Sequence, residues 1–261
     1  MDNVNRTLYI PLYGKAYVSR KRLLLQDEKA EQIWASEGFA LKGKAKSKWL
    51  AYYMGMRSAV FDSWTKKQME ELPDALILHV GCGLDSRCIR VTSQGQQWFD
   101  VDFPEVIGER KRYYSESETY HMIAADIRDM GWLSAIPSDK TAIIVMEGVS
   151  MYLEFEALRS VLKRWKDHFG EILVLMDSYT VFASRATKYK NPIHEVGVTQ
   201  VYGFDDPHDL AENTGLTFLQ EHSLTPEYLI RKLPKGEQRF FRTLFAGKMA
   251  RKIYRLYEYR Q

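Results

Sequence analysis

The chain has 261 residues, of which 45% are hydrophobic and 27% are charged, as is ordinary for a soluble globule. Its length suits one large domain, or one domain with a cap. The formal net charge of +3 is too small to indicate a nucleic-acid partner. No apolar run approaches the roughly 20 residues of a membrane helix.

The N-terminus has no apolar segment long enough for a secretion signal, and there are two cysteines, Cys82 and Cys88. Two cysteines cannot form a metal site alone, and a disulfide between them would distort the glycine turn that surrounds them. We therefore expect reduced thiols, no metal and a cytoplasmic location.

The first 72 residues are predicted to be mostly helical, because apolar residues recur there at helical spacing. Over 47–70 this apolar stripe includes Tyr52 and Met56, which are typical core positions of a helix. We predict a helical cap over residues 1–72, followed by an α/β domain over 73–261.

The most informative segment is an apolar run, Leu76 to Val80, that ends in the turn Gly81-Cys82-Gly83. It predicts a buried parallel strand and a turn in which a ligand approaches the main chain, with a helix beginning near Leu84. Open α/β sheets bind nucleotides at such strand ends. The third glycine of a dinucleotide site is missing, and Asp85 would repel a pyrophosphate. This carboxylate suits a ligand with a cationic amine, such as S-adenosylmethionine (SAM).

A second acid ends the next predicted strand. Asp102 lies 21 residues after Gly81 (102 − 81 = 21), close to the spacing at which a carboxylate binds a nucleotide ribose. The structural alternative is that Asp102 caps a helix that begins at Pro104. The spacing favours the ribose.

Two further strand ends carry acids. Asp126 could accept a hydrogen bond from an adenine amino group while Ile127 lies against the ring, although a surface pair between Asp126 and Arg128 is an equal alternative. Glu147 ends the all-apolar strand that begins at Ala142. Because the carboxyl ends of parallel strands share one edge, these acids are expected to lie together.

The remaining segments complete the sheet. A fifth strand is predicted over 170–177, and two final strands over 216–219 and 252–259, with a lid insertion over about 178–215. The alternation of strands and helices from 76 to 177 predicts a mostly parallel sheet with right-handed crossovers.

Four motifs in order carry a resemblance: Gly-Cys-Gly-Leu-Asp-Ser-Arg, Asp-Val-Asp-Phe-Pro-Glu-Val, Ala-Asp-Ile-Arg and Glu-Gly-Val-Ser-Met-Tyr-Leu. Together they resemble the SAM-dependent leucine carboxyl methyltransferase family, and in particular its bacterial branch of polyketide-type O-methyltransferases. The likeness spans roughly residues 10–180. It implies a class I SAM-methyltransferase fold, which is Rossmann-like, and methyl transfer from SAM to a carboxylate or hydroxyl of a small, polyketide-like molecule.

The resemblance also implies a set of SAM contacts. Arg57, in the motif Met56 to Asp62, corresponds to an arginine that holds the SAM carboxylate, as its guanidinium geometry suits. Lys15 or Arg20 would make a second basic contact. The turn contributes Gly81, Gly83 and Asp85, with Gly81 on the amine; Asp102 takes the ribose, Asp126 and Ile127 take the adenine, and Glu147 lies near the methionyl part.

Residues on the acceptor side are less defined. A carboxylate acceptor needs no base, and Arg185 and Tyr179 are candidates to hold it. A phenol would gain from a base, for which His194 is the first candidate. Tyr152 is a candidate for lining the pocket.

Two rival functions stay open. In an RNA methyltransferase, the basic tail from Lys248 to Arg260 would grip phosphates, although its alternation fits an edge strand better. In a SAM-binding module, the same contacts would hold SAM without catalysis. Isotope transfer from labelled SAM to a small acceptor distinguishes these two functions from the proposed one.

Overall fold

The structure is a computed structural model that describes residues 8–36, 43–92, 94–129, 131–186 and 200–261. Within these ranges, seven strands form one sheet. The strands are Leu76–Val80 (β1), Trp98–Asp102 (β2), Tyr120–Ala124 (β3), Thr141–Met146 (β4), Glu171–Tyr179 (β5), Thr217–His222 (β6) and Tyr254–Arg260 (β7).

The strand order is β3-β2-β1-β4-β5-β7-β6, and β1 to β5 pair in parallel. The order reverses at β1, which lies between β2 and β4. A crevice opens at such a switch point outside the carboxyl ends of the strands, where α/β sheets bind ligands. The predicted α/β class and the mostly parallel sheet are confirmed.

The last strand, β7, corrects the edge-strand prediction for the tail. It lies inside the sheet and pairs antiparallel with both β5 and β6. The shorter β6 is the edge. The alternation of charged and apolar residues in β7 looks like an edge pattern, but Glu258 is buried and takes its hydrogen bonds from β6.

Helices cover both faces of this sheet. Their bounds are Tyr9–Arg20 (α1), Glu28–Ser36 (α2), Lys48–Glu71 (α3), Arg87–Arg90 (α4), Pro104–Arg110 (α5), Phe155–His168 (α6), Val181–Ala186 (α7), Pro207–Ala211 (α8), Glu227–Ile230 (α9), Lys235–Phe245 (α10) and Gly247–Arg251 (α11).

The long helices α3 and α6 pack on opposite faces of the sheet. Met56 of α3 belongs to the same buried cluster as Ile143, whereas Trp165 of α6 clusters with Ile144. Successive residues of a strand point to opposite faces, so β4 contributes to two cores and reads as a continuous apolar run.

The helix expected near Leu84 begins three residues later and has four residues, Arg87–Arg90. The backbone turns first, because the N–H of Asp85 donates to the carbonyl of Cys82 at 2.9 Å. The side chains of Arg87 and Arg90 then point inward, to the shielded carboxylates of Glu147 and Asp85. Side chains, rather than a helix N-terminus, therefore dominate the electrostatics behind this turn.

The N-terminal helical prediction holds for 47–70, where α3 runs over Lys48–Glu71 and Ser47 caps it by accepting from the N–H of Trp49 at 3.3 Å. The division into a cap over 1–72, a domain over 73–261 and a lid over about 178–215 stays a prediction. Among the described helices, none combines the length and the apolar character that crossing a bilayer requires.

Candidate active site

The glycine turn after β1 is held close to the neighbouring loop after β4. Gly81 has a φ of +64° and Gly83 a φ of +51°, a region that favours glycine. A Cβ on Gly81 would lie 2.1 Å from Cγ2 of Val149, so a side chain has no room there. The N–H of Gly81 donates to the carbonyl of Val101 at 2.8 Å, which ties the turn to β2.

Asp102 stands at the end of β2, directly beside this turn. Its Oδ2 accepts from the N–H of Gly83 at 2.8 Å, and its Oδ1 accepts from the N–H of Phe103 at 2.8 Å. A carboxylate has about four lone-pair positions, so each oxygen keeps one for a ligand. Burial raises the pKa of Asp102, although these two bonds oppose the rise. The carboxylate is therefore oriented with acceptor capacity left.

The helix-cap alternative for Asp102 is not what the structure shows. The residue that precedes α5 as its N-cap is Phe103, and its side chain makes no capping bond. Asp102 is the residue before this N-cap, and its Oδ1 accepts from the N–H of Phe103. Pro104 does begin the helix, as expected of proline at a first position.

Asp126 follows β3 on the same edge of the sheet, because the N–H of Ala125 donates to the carbonyl of Asp102 at 2.9 Å. Its Oδ1 accepts from the Nε and from the main-chain N–H of Arg128, each at 2.9 Å. These hydrogen bonds lower the pKa of Asp126. Ile127 is buried. The surface pair with Arg128 is present, and the adenine contact stays a prediction.

Arg57 is a buried arginine at the centre of the site, on α3. Its Nε donates to Oε1 of Glu147 at 2.9 Å, and its NH1 donates to Oδ2 of Asp177 at 3.3 Å and to the hydroxyl of Tyr254 at 3.1 Å. A Cβ on Gly148 would lie 3.5 Å from both NH1 and NH2, so this glycine leaves space over the guanidinium. The structural alternative for Arg57, an ion pair on the helix surface with Asp62 or Glu70, is not seen among the described residues, because Arg57 is buried.

The two carboxylates that pair with Arg57, those of Glu147 and Asp177, have different numbers of cationic neighbours. Burial alone would raise the pKa of Glu147, but Arg57 and Arg87 lower it to about 2. Burial raises the pKa of Asp177 to about 6, although Arg57 opposes the rise. Glu147 thus shares two guanidinium groups, whereas Asp177 shares one.

Asp85 is buried among cations behind the glycine turn. Lys15 approaches its Oδ2 at 3.1 Å, and Arg90 its Oδ1 at 2.7 Å. Burial opposes ionisation, yet Arg90 and Lys15 hold the pKa of Asp85 well below its usual range. Arg20 instead pairs with Glu31. Of the two N-terminal cations considered for the site, the structure brings Lys15 to it.

A second layer of charges supports the turn from below. Arg110 donates to the carbonyl of Gly83 at 2.9 Å and pairs with buried Asp100. His79 lies between Asp100 and Arg87. Its Nδ1 is 2.9 Å from Oδ1 of Asp100, and its Nε2 is 3.0 Å from the guanidinium of Arg87. Because arginine only donates, Nε2 is the acceptor and Nδ1 carries the proton. His79 is therefore the hydrogen-bonded core residue that its place in a strand suggests.

The acceptor-side candidates lie in different settings. Tyr179, at the end of β5, packs its ring 4.9 Å from that of Tyr254, and burial and then nearby Tyr152 raise its pKa. Tyr152 is half-buried, and Arg185 is exposed on α7. His194 lies outside the described residues. The structure brings Tyr179 and Tyr152 to the site, and no catalytic role is tested for any of the four.

Sequence reasoning found the strand ends but missed Asp177, Tyr254 and Arg87, which complete the buried network. Asp177 ends the fifth strand as predicted over 170–177, which was the available signal, although β5 itself continues to Tyr179. Arg87 and Tyr254 carry no such signal, because their contacts depend on α3 and on the antiparallel insertion of β7.

The sheet has the class I methyltransferase fold, and the family and relatives that the sequence matches make this protein a SAM-dependent methyltransferase. The sequence profile of the Leucine carboxyl methyltransferase family matches residues 11–166. The chain therefore belongs to the leucine carboxyl methyltransferase family, and the resemblance given by the motifs is confirmed.

Two relatives match most of the chain. The "Tetracenomycin polyketide synthesis O-methyltransferase TcmP" of Streptomyces glaucescens is 30% identical over 227 residues, which cover 86% of this chain and 84% of the relative. The "S-adenosyl-L-methionine-dependent methyltransferase dpfgK" of Gibberella zeae is 25% identical over 252 residues, which cover 87% and 85%. Both names are those of methyltransferases.

A solved structure shares the fold. Magnesium protoporphyrin IX methyltransferase from Synechocystis PCC 6803, with bound SAH, superposes with a TM-score of 0.54 at 12% sequence identity. The match covers 90% of this chain and 93% of that one. At this identity the likeness shows the fold alone.

Proposed function

We propose that this protein transfers the methyl group of SAM to a carboxylate or hydroxyl oxygen of a small, polyketide-like molecule. The observation that carries the proposal is the convergence of polar groups at one switch point. Val80 pairs in register with Val101 and Met146. The residues that follow these three, namely Gly81 of the turn, Asp102 and Glu147, therefore lie side by side at the edge of the sheet. The name of the Streptomyces relative supports an oxygen acceptor and polyketide chemistry, and the name of the Gibberella relative supports SAM-dependent methyl transfer.

The described side chains fit the parts of SAM. Space over the guanidinium of Arg57, left by Gly148, suits a carboxylate, and Lys15 adds a second cation nearby. The main chain at Gly81, with no room for a side chain, suits the amine. Oriented Asp102 suits a ribose diol, because charged hydrogen bonds are the strong ones.

Two more assignments belong to the proposal. Asp126 and Ile127 would take the adenine, since both follow β3 on the same edge as Asp102. Glu147 would lie near the methionyl part, because it already shares Arg57. Asp85 would act through Lys15 and Arg90 rather than by direct contact, since it is buried among cations.

SAM supplies an electrophilic methyl group, which an in-line acceptor oxygen displaces from sulfur. The task of the protein residues is to hold that geometry, and positioning alone supplies much of the rate enhancement in such reactions. Arg57 would fix the carboxylate and Asp102 the ribose, which are attached on opposite sides of the sulfonium. The network of Arg87, Arg110 and Asp100 keeps the turn rigid between them.

Tyrosines next to Arg57 are the proposed wall of the acceptor site. Tyr53 and Tyr179 are half-buried, and burial raises the pKa of both. The ring of Tyr254 lies between them, 6.4 Å from Tyr53 and 4.9 Å from Tyr179. Such a wall suits a planar aromatic acceptor, with Tyr152 beside it.

Transfer of isotope from methyl-labelled SAM to a panel of aromatic carboxylic acids and phenols tests the proposal. We expect labelled product with some members of the panel and, at subsaturating SAM, much less of it with Asp102→Asn. Mild alkali then separates the acceptor types, because a methyl ester loses its label and an aryl ether keeps it. SAM binding without transfer to any member would instead favour the non-catalytic SAM-binding module.

Transfer to RNA is the other outcome of the same assay. The basic residues of the tail are largely paired, since Arg251 and Arg255 bind Glu221, and Arg260 binds Glu171. This pairing supports the small-molecule acceptor. Label in RNA, with binding that falls steeply as salt rises, would contradict it.

A further inference from the structure

Among the described residues, Asp177 pairs with one guanidinium group, that of Arg57. The same group also pairs with Glu147. Its Nε and NH1 donate to these two carboxylates, at 2.9 Å to Glu147 and 3.3 Å to Asp177. The carboxylate side chains are 6% exposed for Glu147 and 0% exposed for Asp177, and Arg57 is buried. If the carboxylate of SAM binds Arg57, as the proposed function requires, three carboxylates must share this guanidinium.

Like charges that share one buried site do not all stay ionised; one of them is protonated instead. The choice depends on what else each acid contacts. Glu147 also pairs with Arg87, whose guanidinium is fully buried. Asp177 has no second cation among the described residues.

The groups that face Asp177 come from four elements. The N–H of Gly148 donates to its Oδ1 at 2.7 Å, and the hydroxyl of Tyr254 donates to its Oδ2 at 2.8 Å. The titratable and charged groups are Arg57 and Tyr53 on α3, Glu147 after β4, Tyr179 on β5 and Tyr254 on β7. Arg57 is the cation in this set.

We propose that Asp177 takes up a proton from solvent when the SAM carboxylate binds Arg57. This inference rests on the proposed function. The protonated acid keeps its contacts, because a tyrosine hydroxyl accepts as well as donates, so the bond between Oδ2 and Tyr254 survives with its direction reversed. The N–H of Gly148 still donates to Oδ1. Asp177 is thus a positioning residue that frees Arg57 for the ligand.

The same geometry sets the direction of the pH dependence. In the absence of ligand, burial raises the pKa of Asp177 to about 6, so at pH 7 to 8 it is ionised and available to bind a proton. Ligand binding that stabilises the protonated form becomes tighter as pH falls. The affinity for SAM rises between pH 8 and pH 6 by at most about tenfold per pH unit, the limit for one proton.

Calorimetry of the full chain at pH 6.5, in phosphate and in imidazole, measures the proton directly, because an α-amine with a pKa of about 7.7–8.0 is already protonated in free SAM at this pH. With SAM we expect a binding enthalpy that depends on the buffer, in the sense of net proton uptake. Decarboxylated SAM is the matched ligand: it lacks the third carboxylate and is expected to bind without uptake. Equal uptake for the two ligands, or none with SAM, would overturn the inference while leaving the proposed function standing.

Asp177→Asn gives a second measurement, since its neutral amide mimics the protonated acid. The variant is expected to bind SAM without buffer-dependent heat and, at pH 8, at least as tightly as the parent. The control is Glu258→Gln, which changes a buried carboxylate in β7, whereas Asp177 lies in β5. This variant is expected to keep the proton uptake. Uptake that persists in Asp177→Asn would overturn the inference. A parent protein that does not bind SAM would overturn the proposed function and this inference with it.

Discussion

Replacing Asp102 by asparagine keeps its shape and removes its charge. Hydrogen bonds to a charged acceptor contribute about 1.5–3 kcal/mol each, whereas neutral ones contribute about 0.5–1.5 kcal/mol. For two ribose hydroxyls the loss is about 2–3 kcal/mol, which is roughly 30- to 150-fold in Kd. The new amide NH2 must also face one of two N–H donors, those of Gly83 and Phe103, so the loss lies toward the upper end of this range.

Calorimetry with SAH and with 5′-methylthioadenosine measures this loss. The second ligand keeps the ribose and lacks the amino-acid part, so we expect the same fold-change for both. Asp129→Asn changes an exposed acid beyond β3 and is the matched control, with unchanged affinity. An Asp102→Asn variant that melts like the parent and binds SAH within about threefold of it, less than 1 kcal/mol, would refute the ribose assignment.

Three further predictions concern stability. Gly81→Ala places a Cβ 2.1 Å from Cγ2 of Val149 at a φ of +64°. We expect the free energy of unfolding, measured by denaturant titration, to fall by about 2–5 kcal/mol, and SAH binding to weaken. A variant whose stability is within about 0.5 kcal/mol of the parent would contradict the tight turn. Arg87→Met removes a fully buried cation that pairs with Glu147 and Asp62, whose remaining partners are Arg57 and Arg90, and so leaves one negative charge of the cluster uncompensated. We expect a cost of about 3–5 kcal/mol and a Tm lower by on the order of 10 °C in a thermal melt, and an unchanged Tm would contradict the network. His222 helps to lower the pKa of Glu258 from 4.5 to about 2, so the stabilisation is present above pH 4.5 and is lost as pH falls toward 2; Glu258→Gln is expected to flatten the pH dependence of unfolding by about 1–2 kcal/mol after solvent screening, and equal slopes would count against the pair.

The sequence predicted much of the site because its signals are local. A strand with both faces covered reads as a continuous apolar run, and the residue after it is at the sheet edge whatever lies elsewhere. Gly81, Asp102 and Glu147 could therefore be placed together before the structure was known. The helix near Leu84 was placed too early, because inward-pointing arginines such as Arg87 are not marked by any periodicity.

The partners of Arg57 could not be predicted in the same way. The Arg57–Asp177 pair joins residues 120 positions apart, and the contact with Tyr254 spans 197. Both contacts exist because α3 packs over the sheet and β7 inserts beside β5. From spacing alone, the protein partners that could be considered for Arg57 were the local Asp62 and Glu70, as the structural alternative to the SAM carboxylate.

By itself, the sequence determined the parallel half of the sheet, the glycine turn and the acids at three strand ends, because each depends on neighbours within a few residues. Only the tertiary structure decided that β7 lies inside the sheet and that one guanidinium serves two buried carboxylates. The physical reason is that strand pairing and burial of charge are non-local: they depend on which distant segments are brought together, and a linear pattern does not record this.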